Sequence, residues 1–119
     1  MIRVFIADDH EFIRAGLTSI LAAIPDIEVI GEAANGHDVL QALREKTPDA
    51  LVLDMSMPGL SGLELIKRIK SESPKQKILV LTMHPNKQYA VRAIRAGAAG
   101  FLSKAIASDA RLAAFTVPD

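Results

Sequence analysis

The sequence predicts an α/β domain built around an open parallel sheet, and three observations carry that expectation. Short apolar runs alternate with segments of helical spacing all along the chain. Three of the runs are apolar without alternation, the pattern of strands covered on both faces by right-handed crossovers. The chain has 119 residues, 50% of them hydrophobic, with no visible linker or internal repeat, which suits one domain over 1–119 with a single core.

The first run, Ile2-Arg3-Val4-Phe5-Ile6-Ala7, is apolar and β-branched and stops at Asp8-Asp9, so it reads as a buried strand. Phe12, Ile13, Leu17, Ile20, Leu21 and Ile24 then recur at three-and-four spacing up to Pro25, the stripe of a helix packing one face on the sheet. Glu28 to Ala33 is a second short strand. After Asn35-Gly36, Val39, Leu40 and Leu43 give a second helical stripe, closed by Thr47-Pro48. Ala50-Leu51-Val52-Leu53 is the third strand and ends on Asp54. Past a loop containing Pro58-Gly59 and Gly62, Leu63, Leu65, Ile66 and Ile69 begin a third helix that fades before Pro74. Ile78 to Leu81 is the fourth strand, ending at Thr82. Tyr89, Val91 and Ile94 mark a fourth helix stopped by Gly97, and Gly100-Phe101-Leu102-Ser103 is a weak fifth strand followed by Lys104. In the tail, Ser108 or Asp109 can cap a fifth helix with Leu112 and Phe115 facing inward, and Pro118 limits it. The last helix is therefore expected to be short or irregular.

Composition narrows the chemistry. There is no cysteine, so disulfides, thiolate metal sites and cysteine nucleophiles are excluded. The 14 basic and 14 acidic residues cancel, which gives no support to duplex DNA binding by this domain itself, because phosphate contacts want a basic face. No apolar run approaches membrane-spanning length, and the N-terminal stretch Met1 to Asp8 meets a charge too early to be a secretory leader, so neither membrane nor export is expected. P-loop and nucleophile-elbow motifs are missing, and Ala7-Asp8-Asp9-His10 stands where a dinucleotide site would have its glycines. His10, His37 and His84 lack the spacing of a zinc site. His10 and His84 fall near the strand ends, and His37 reads as a surface residue.

In an open parallel sheet, ligands bind outside the carboxyl ends of the strands. Those ends carry Asp8 and Asp9, Asp54, Thr82 and Lys104. Three carboxylates meeting in one crevice repel each other unless a cation is present, and oxygen ligands suit a hard cation such as Mg²⁺. A lysine and a hydroxyl opposite them can meet an incoming anion. The set describes a phosphoryl-transfer centre in which Asp54, the lone carboxylate of a central strand, is the nucleophile and Asp8-Asp9 the metal-holding pair. Taken singly, each residue has an ordinary reading: the acidic pair as a helix start, Asp54 as a turn residue, Thr82 as a cap, Lys104 as a solvated cation. Their conjunction at four strand ends is what points to chemistry.

From Met1 to about Ser108 the chain resembles the receiver domain of two-component response regulators. The resemblance is carried by Val4-Phe5-Ile6-Ala7-Asp8-Asp9-His10, by Leu51 to Glu64 (Leu-Val-Leu-Asp-Met-Ser-Met-Pro-Gly-Leu-Ser-Gly-Leu-Glu), by Val80-Leu81-Thr82-Met83 and by Ala96 to Lys104. It implies a doubly wound, five-stranded CheY-like sheet of order 2-1-3-4-5. It further implies that a histidine kinase phosphorylates Asp54. Mg²⁺ would be held directly by Asp9 and Asp54, by the Ser56 main-chain carbonyl, and by Asp8 largely through water. Lys104 would pair with the phosphoryl group, and Thr82 would swing toward it and let Phe101 turn inward. Ser56 and His84 would tune how long the phosphoryl group survives.

Asp8-Asp9-His10, Met55-Ser56-Met57-Pro58-Gly59 and Thr82-Met83 further resemble the subclass joined to a LuxR/NarL/FixJ-type helix-turn-helix domain, which is absent from this chain. The implied protein is a cytoplasmic transcriptional switch that catalyses only its own phosphoryl transfer and loss and is not otherwise an enzyme. It would form a phosphorylation-dependent homodimer and reach DNA only through that absent domain. Two dimer faces present themselves. One is the first and fifth helices, where Leu17, Ile20, Leu21 and Ile24 exceed one buried stripe; the other lies around Tyr89, Arg92 and Phe101. Departures from the family pattern are Phe101 where tyrosine is frequent, Ala105 where proline is frequent, and the irregular segment 106–119. An interaction module uncoupled from phosphorylation and an aspartyl-phosphate phosphatase are the competing functions. The phosphatase lacks a second acid-base carboxylate, since Ser56 stands two residues past Asp54, and has no chain for a substrate lid.

Overall fold

A computed structural model describes residues 1–55, 57, 61–82, 92 and 94–103, the side chains of 82 and 101–103 excepted. In chain order the elements are β1 (Ile2–Ala7), α1 (Glu11–Ala22), β2 (Ile27–Ala33), α2 (Gly36–Glu45), β3 (Ala50–Asp54), α3 (Gly62–Glu72), β4 (Lys77–Thr82) and β5 (Gly100–Ser103). The strands form one parallel sheet in the order β2-β1-β3-β4-β5, as the resemblance implies. Residues 92 and 94–96 are helical, and the Gly97 N–H closes that turn on the Ile94 carbonyl at 3.0 Å. Expectations for Tyr89, Val91 and the tail 105–119 fall outside the described residues.

Side-chain alternation along the central strands divides the interior in two. Phe5 and Ala7 of β1, Leu51 and Leu53 of β3, and Ile78 and Val80 of β4 meet Val39 and Leu40 of α2 and Leu65, Ile66 and Ile69 of α3. On the other face, Val4, Ile6, Ala50, Val52 and Leu81 meet Leu17 and Leu21 of α1. Each large apolar side chain so buried contributes about 1.5–3 kcal/mol, and the apolar strands with no polar positions reflect cover on both sides.

The α1 stripe differs from the sequence expectation at its first member. Leu17 and Leu21 are buried, with Ile13, Ile20 and Ile24 packed against the same cluster, but Phe12 is 82% exposed. At 3.6 residues per turn, Phe12 lies about 140° around the helix from Leu17, whereas Ile13 is only about 40° away. Of the residues offered as a dimer face on the first helix, Leu17 and Leu21 are buried, whereas Ile20 and Ile24 pack against the core only in part. Ile94, expected to mark a fourth helix, is helical and 52% exposed.

Local chemistry fixes where the other helices begin. The Asn35 side-chain Oδ1 accepts from the Asp38 N–H at 2.9 Å, and the Ser61 hydroxyl accepts from the Glu64 N–H at 3.2 Å, so each side chain satisfies one orphan donor of its helix. Between β1 and β2 the register slips: Val4 pairs with Val29 but Phe5 with Gly31, leaving Ile30 as an extra residue. The Lys46 ammonium at the end of α2 donates to the Ile30 carbonyl at 2.9 Å and stands 6.0 Å from the centre of the Phe5 ring. Glycine is needed at 31 because a Cβ there would stand 2.8 Å from that ring and 2.9 Å from the ammonium.

Candidate metal centre

The site follows from strand register carried one step further. β1 and β3 pair through Ala7 and Leu53, so Asp8 and Asp54 come next to each other where the apolar runs end. Both have the parity of Val4, Ile6, Ala50 and Val52, which point to the α1 face. The start of α1 therefore arrives over two buried carboxylates, Asp8 at 0% and Asp54 at 1% exposure.

His10 is the N-cap residue of α1 and closes the cluster. Its N–H donates to Asp8 Oδ1 at 2.8 Å, and its ring Nδ1 lies 2.9 Å from the same oxygen. Nδ1 is also 3.1 Å from Asp9 Oδ1 and 3.9 Å from Asp54 Oδ2. Asp8, Asp9, His10 and Asp54 each present one ligand atom, all within 4.8 Å of one another. The everyday reading of the acidic pair as a helix start holds only in part: Asp8 braces the turn into α1, but the capping position is His10.

Supporting contacts hold this geometry. The Asp8 N–H donates to the Ala33 carbonyl at 3.0 Å, and its carbonyl accepts from the Arg14 guanidinium at 2.6 Å. Arg14 is steadied in turn by Glu32 at 3.2 Å. After Asp54, the Met55 N–H reaches the Leu81 carbonyl at 3.4 Å. Gly62, the first residue of α3, lies so close that a Cβ would stand 2.6 Å from the Met55 sulfur and 2.9 Å from its Cα. Only glycine lets the helix approach the strand end at that distance.

Crowding shows in the electrostatics. Desolvation raises the Asp9 carboxyl above its ordinary value, helped by its hydrogen bond with Asp54 and by repulsion from that carboxylate, and opposed by His10. Three carboxyl groups this close, two of them buried, can hold a divalent cation, so the residues fit the Mg²⁺ read from the sequence.

Of the residues singled out in the sequence, Asp8, Asp9 and Asp54 are brought together. The Thr82 main chain sits beside Leu81, the partner of Asp54, and pairs with Ser103. Ser56, His84, Lys104 and the Thr82 and Phe101 side chains lie outside the described residues. His37 is exposed on the first turn of α2, as expected. His10 also lies within the cluster, and Arg14 supports the site although the sequence did not single it out. Arg14 is the lone cation of α1, one turn past His10, and its place beside the apolar stripe was the available signal.

Comparison with known proteins agrees with the fold. The sequence model of the response regulator receiver domain matches residues 4–116. The chain is 43% identical to response regulator UvrY of Escherichia coli over 107 residues, covering 90% of this chain and 49% of UvrY. Response regulator GacA of Pseudomonas aeruginosa is 38% identical over 104 residues, covering 87% and 49% respectively. The chain thus spans about half the length of the curated relatives it matches. Among solved structures, the signal receiver domain of NarL from Mycobacterium tuberculosis superposes with a TM-score of 0.81 at 32% identity, covering 87% of this chain and 83% of that one. RcsB of Salmonella enterica serovar Typhimurium, bound to promoter rprA with the phosphomimetic BeF3-, gives 0.81 at 32% identity, covering 87% and 54%.

Proposed function

The chain belongs to the response regulator receiver domain family, and from that premise we propose that residues 1–119 form one phosphoacceptor switch whose acceptor is Asp54. The observation that carries this reading is the buried Asp54 carboxylate at the end of β3, facing Asp8 and Asp9 within a single ligand cluster. A histidine kinase is the phosphoryl donor. An Asp54 oxygen attacks phosphorus, the bond from phosphorus to the donor imidazole breaks, and an acyl phosphate forms.

Asp9, Asp54 and the Ser56 main-chain carbonyl would hold Mg²⁺, and Asp8 would support it largely through water. When bound there, the cation would supply positive charge between the carboxylate and phosphoryl oxygens. Asp8 itself orients the centre: its carboxylate grips the turn into α1 while Arg14 fixes its carbonyl. Lys104 pairs with the phosphoryl group, Thr82 donates to it and releases Phe101 inward, and Ser56 and His84 set how fast water removes it. Beyond its own transfer and hydrolysis the domain performs no catalysis.

Output is transcriptional through a helix-turn-helix domain outside this chain, in a protein that dimerises on phosphorylation and works in the cytoplasm. The length of UvrY and GacA beyond the matched half, and the promoter-bound RcsB, support this reading. Among the described residues no helix is long and apolar enough to cross a membrane. Incubation with acetyl phosphate and Mg²⁺ is expected to add one phosphoryl group to the wild type and none to Asp54→Asn. Equal labelling of both proteins would overturn the assignment.

A further inference from the structure

Formal neutrality conceals a separation of charge, and we propose that the chain associates head to tail with a second copy of itself. The acidic β2 edge of one copy meets the basic α3 side of the other. Neither phosphorylation nor metal takes part in this contact, so it stands apart from the function proposed above.

Of the 14 acidic residues, 11 precede Leu65, and of the 14 basic residues, 10 follow it. Strand order turns that asymmetry along the sequence into one in space. The sheet runs β2-β1-β3-β4-β5, so β2 forms one edge while β4 and β5 lie toward the other. With strands about 4.8 Å apart, β2 and β4 stand about 14 Å from each other. That exceeds the Debye length of about 8 Å at physiological ionic strength, so each region presents its own field to a neighbour.

The minority charge on each side is engaged within the fold. Arg3 donates to the Thr47 carbonyl, Arg14 to Glu32 and the Asp8 carbonyl, and Lys46 to the Ile30 carbonyl. Arg44 pairs at 3.1 Å with Glu72, the sole acidic residue between Leu65 and Lys104. Glu64, on the first turn of α3, complements the N-terminal end of that helix. The exposed charges that remain are acidic at Asp26 and Glu28 on the β2 edge and at Glu45 ending α2. They are basic at Lys67 on α3, at Lys75 before β4, and at Arg92 and Arg95 beyond it. None of these forms an ion pair among the described residues. A Cβ on Gly97 would stand 2.7 Å from the Lys70 stem, so α3 adjoins the helical residues 92 and 94–96 and the basic side is continuous.

A second copy fits both regions at once. Two neutral bodies do not repel as wholes, and each offers the other a surface of opposite sign. A polyanion such as duplex DNA would use the basic side and leave the acidic one without a role. Because the two regions differ, the contact is heterologous, and every pair keeps one region of each sign free for a further copy.

The test is sedimentation equilibrium of the whole unphosphorylated chain in metal-free buffer. Self-association is expected to strengthen about tenfold as salt falls from about 0.2 M to about 0.02 M, with mass rising past the dimer as concentration increases. One variant, Asp26→Asn with Glu28→Gln, neutralises the acidic edge; another, Lys67→Gln with Arg95→Gln, neutralises the basic side. All four residues are exposed, so both variants should keep the wild-type circular dichroism and melting temperature. Alone, each should associate about five- to tenfold more weakly than wild type. Mixed in equal amounts they should recover a one-to-one complex, since each supplies the region that the other lacks. Wild type that stays monomeric at low salt, association indifferent to salt, or a mixture no tighter than its components overturns the proposal. Monomeric wild type that retains duplex DNA, with retention lost in Lys67→Gln with Arg95→Gln, overturns it in favour of nucleic acid.

Discussion

The strand β3 contains two kinds of burial side by side. Ala50 to Leu53 and Asp54 are all between 0% and 1% exposed. The first four meet apolar partners on the two faces of the sheet, and their burial drives folding. Asp54 meets Asp8, Asp9 and His10 instead, and burying its charge opposes folding. Equal exposure therefore hides opposite contributions, and the change of sign falls between two consecutive residues. The strand is apolar where it packs into the core and acidic where it enters the carboxylate cluster.

The largest expected effect lies on the apolar side of that boundary. Leu53→Ala should cost about 2–5 kcal/mol in urea unfolding, because it opens a cavity between β3 and the helices α2 and α3. A loss below about 1 kcal/mol would mean that the site relaxes freely and that the interior is less tightly packed than described. Next comes the glycine that brings α3 up to the strand end. Gly62→Ala is expected to cost about 1–3 kcal/mol, since Met55 and its backbone must move aside. It should also slow phosphorylation by acetyl phosphate, because Met55 directly follows Asp54. Unchanged stability in this variant would show that the close approach is dispensable.

The acidic side makes a smaller, pH-dependent prediction. Folding raises the Asp9 carboxyl above its ordinary value of 3.8, so the folded chain binds that proton more readily than the unfolded one. Stability from this group therefore falls as pH rises through the raised value and recovers as pH drops back toward 3.8. In metal-free buffer Asp9→Asn should be more stable than wild type at neutral pH, with the gap closing as the solution is acidified. A gap that widens on acidification would contradict the assigned direction.

Much of this contrast was legible in the sequence. Unbroken apolar runs ending on Asp8-Asp9 and Asp54 announce both the buried sheet and the acids at its edge, because strand parity and parallel pairing leave little freedom in where they meet. Phe12 was misread because three-and-four spacing admits a residue at the edge of a stripe, and only the true helix phase places it outward. Arg14 escaped because its role depends on a main-chain carbonyl, which leaves no periodic trace, and of His10 only its nearness to the strand ends was legible, since its capping of α1 is set by the turn. The extra residue Ile30, held by Lys46, is equally silent in the sequence, since it arises from pairing between two strands.

The contrast within β3 is tested most directly by thermal unfolding of wild type and Asp54→Asn, each with and without Mg²⁺. If the Asp54 charge is kept at the expense of the fold in order to hold a cation, the variant should melt higher than wild type without Mg²⁺. Saturating Mg²⁺ should then raise the wild type well above its metal-free midpoint and the variant far less. A variant that melts lower in metal-free buffer, or that gains as much from Mg²⁺ as the wild type, would contradict the account.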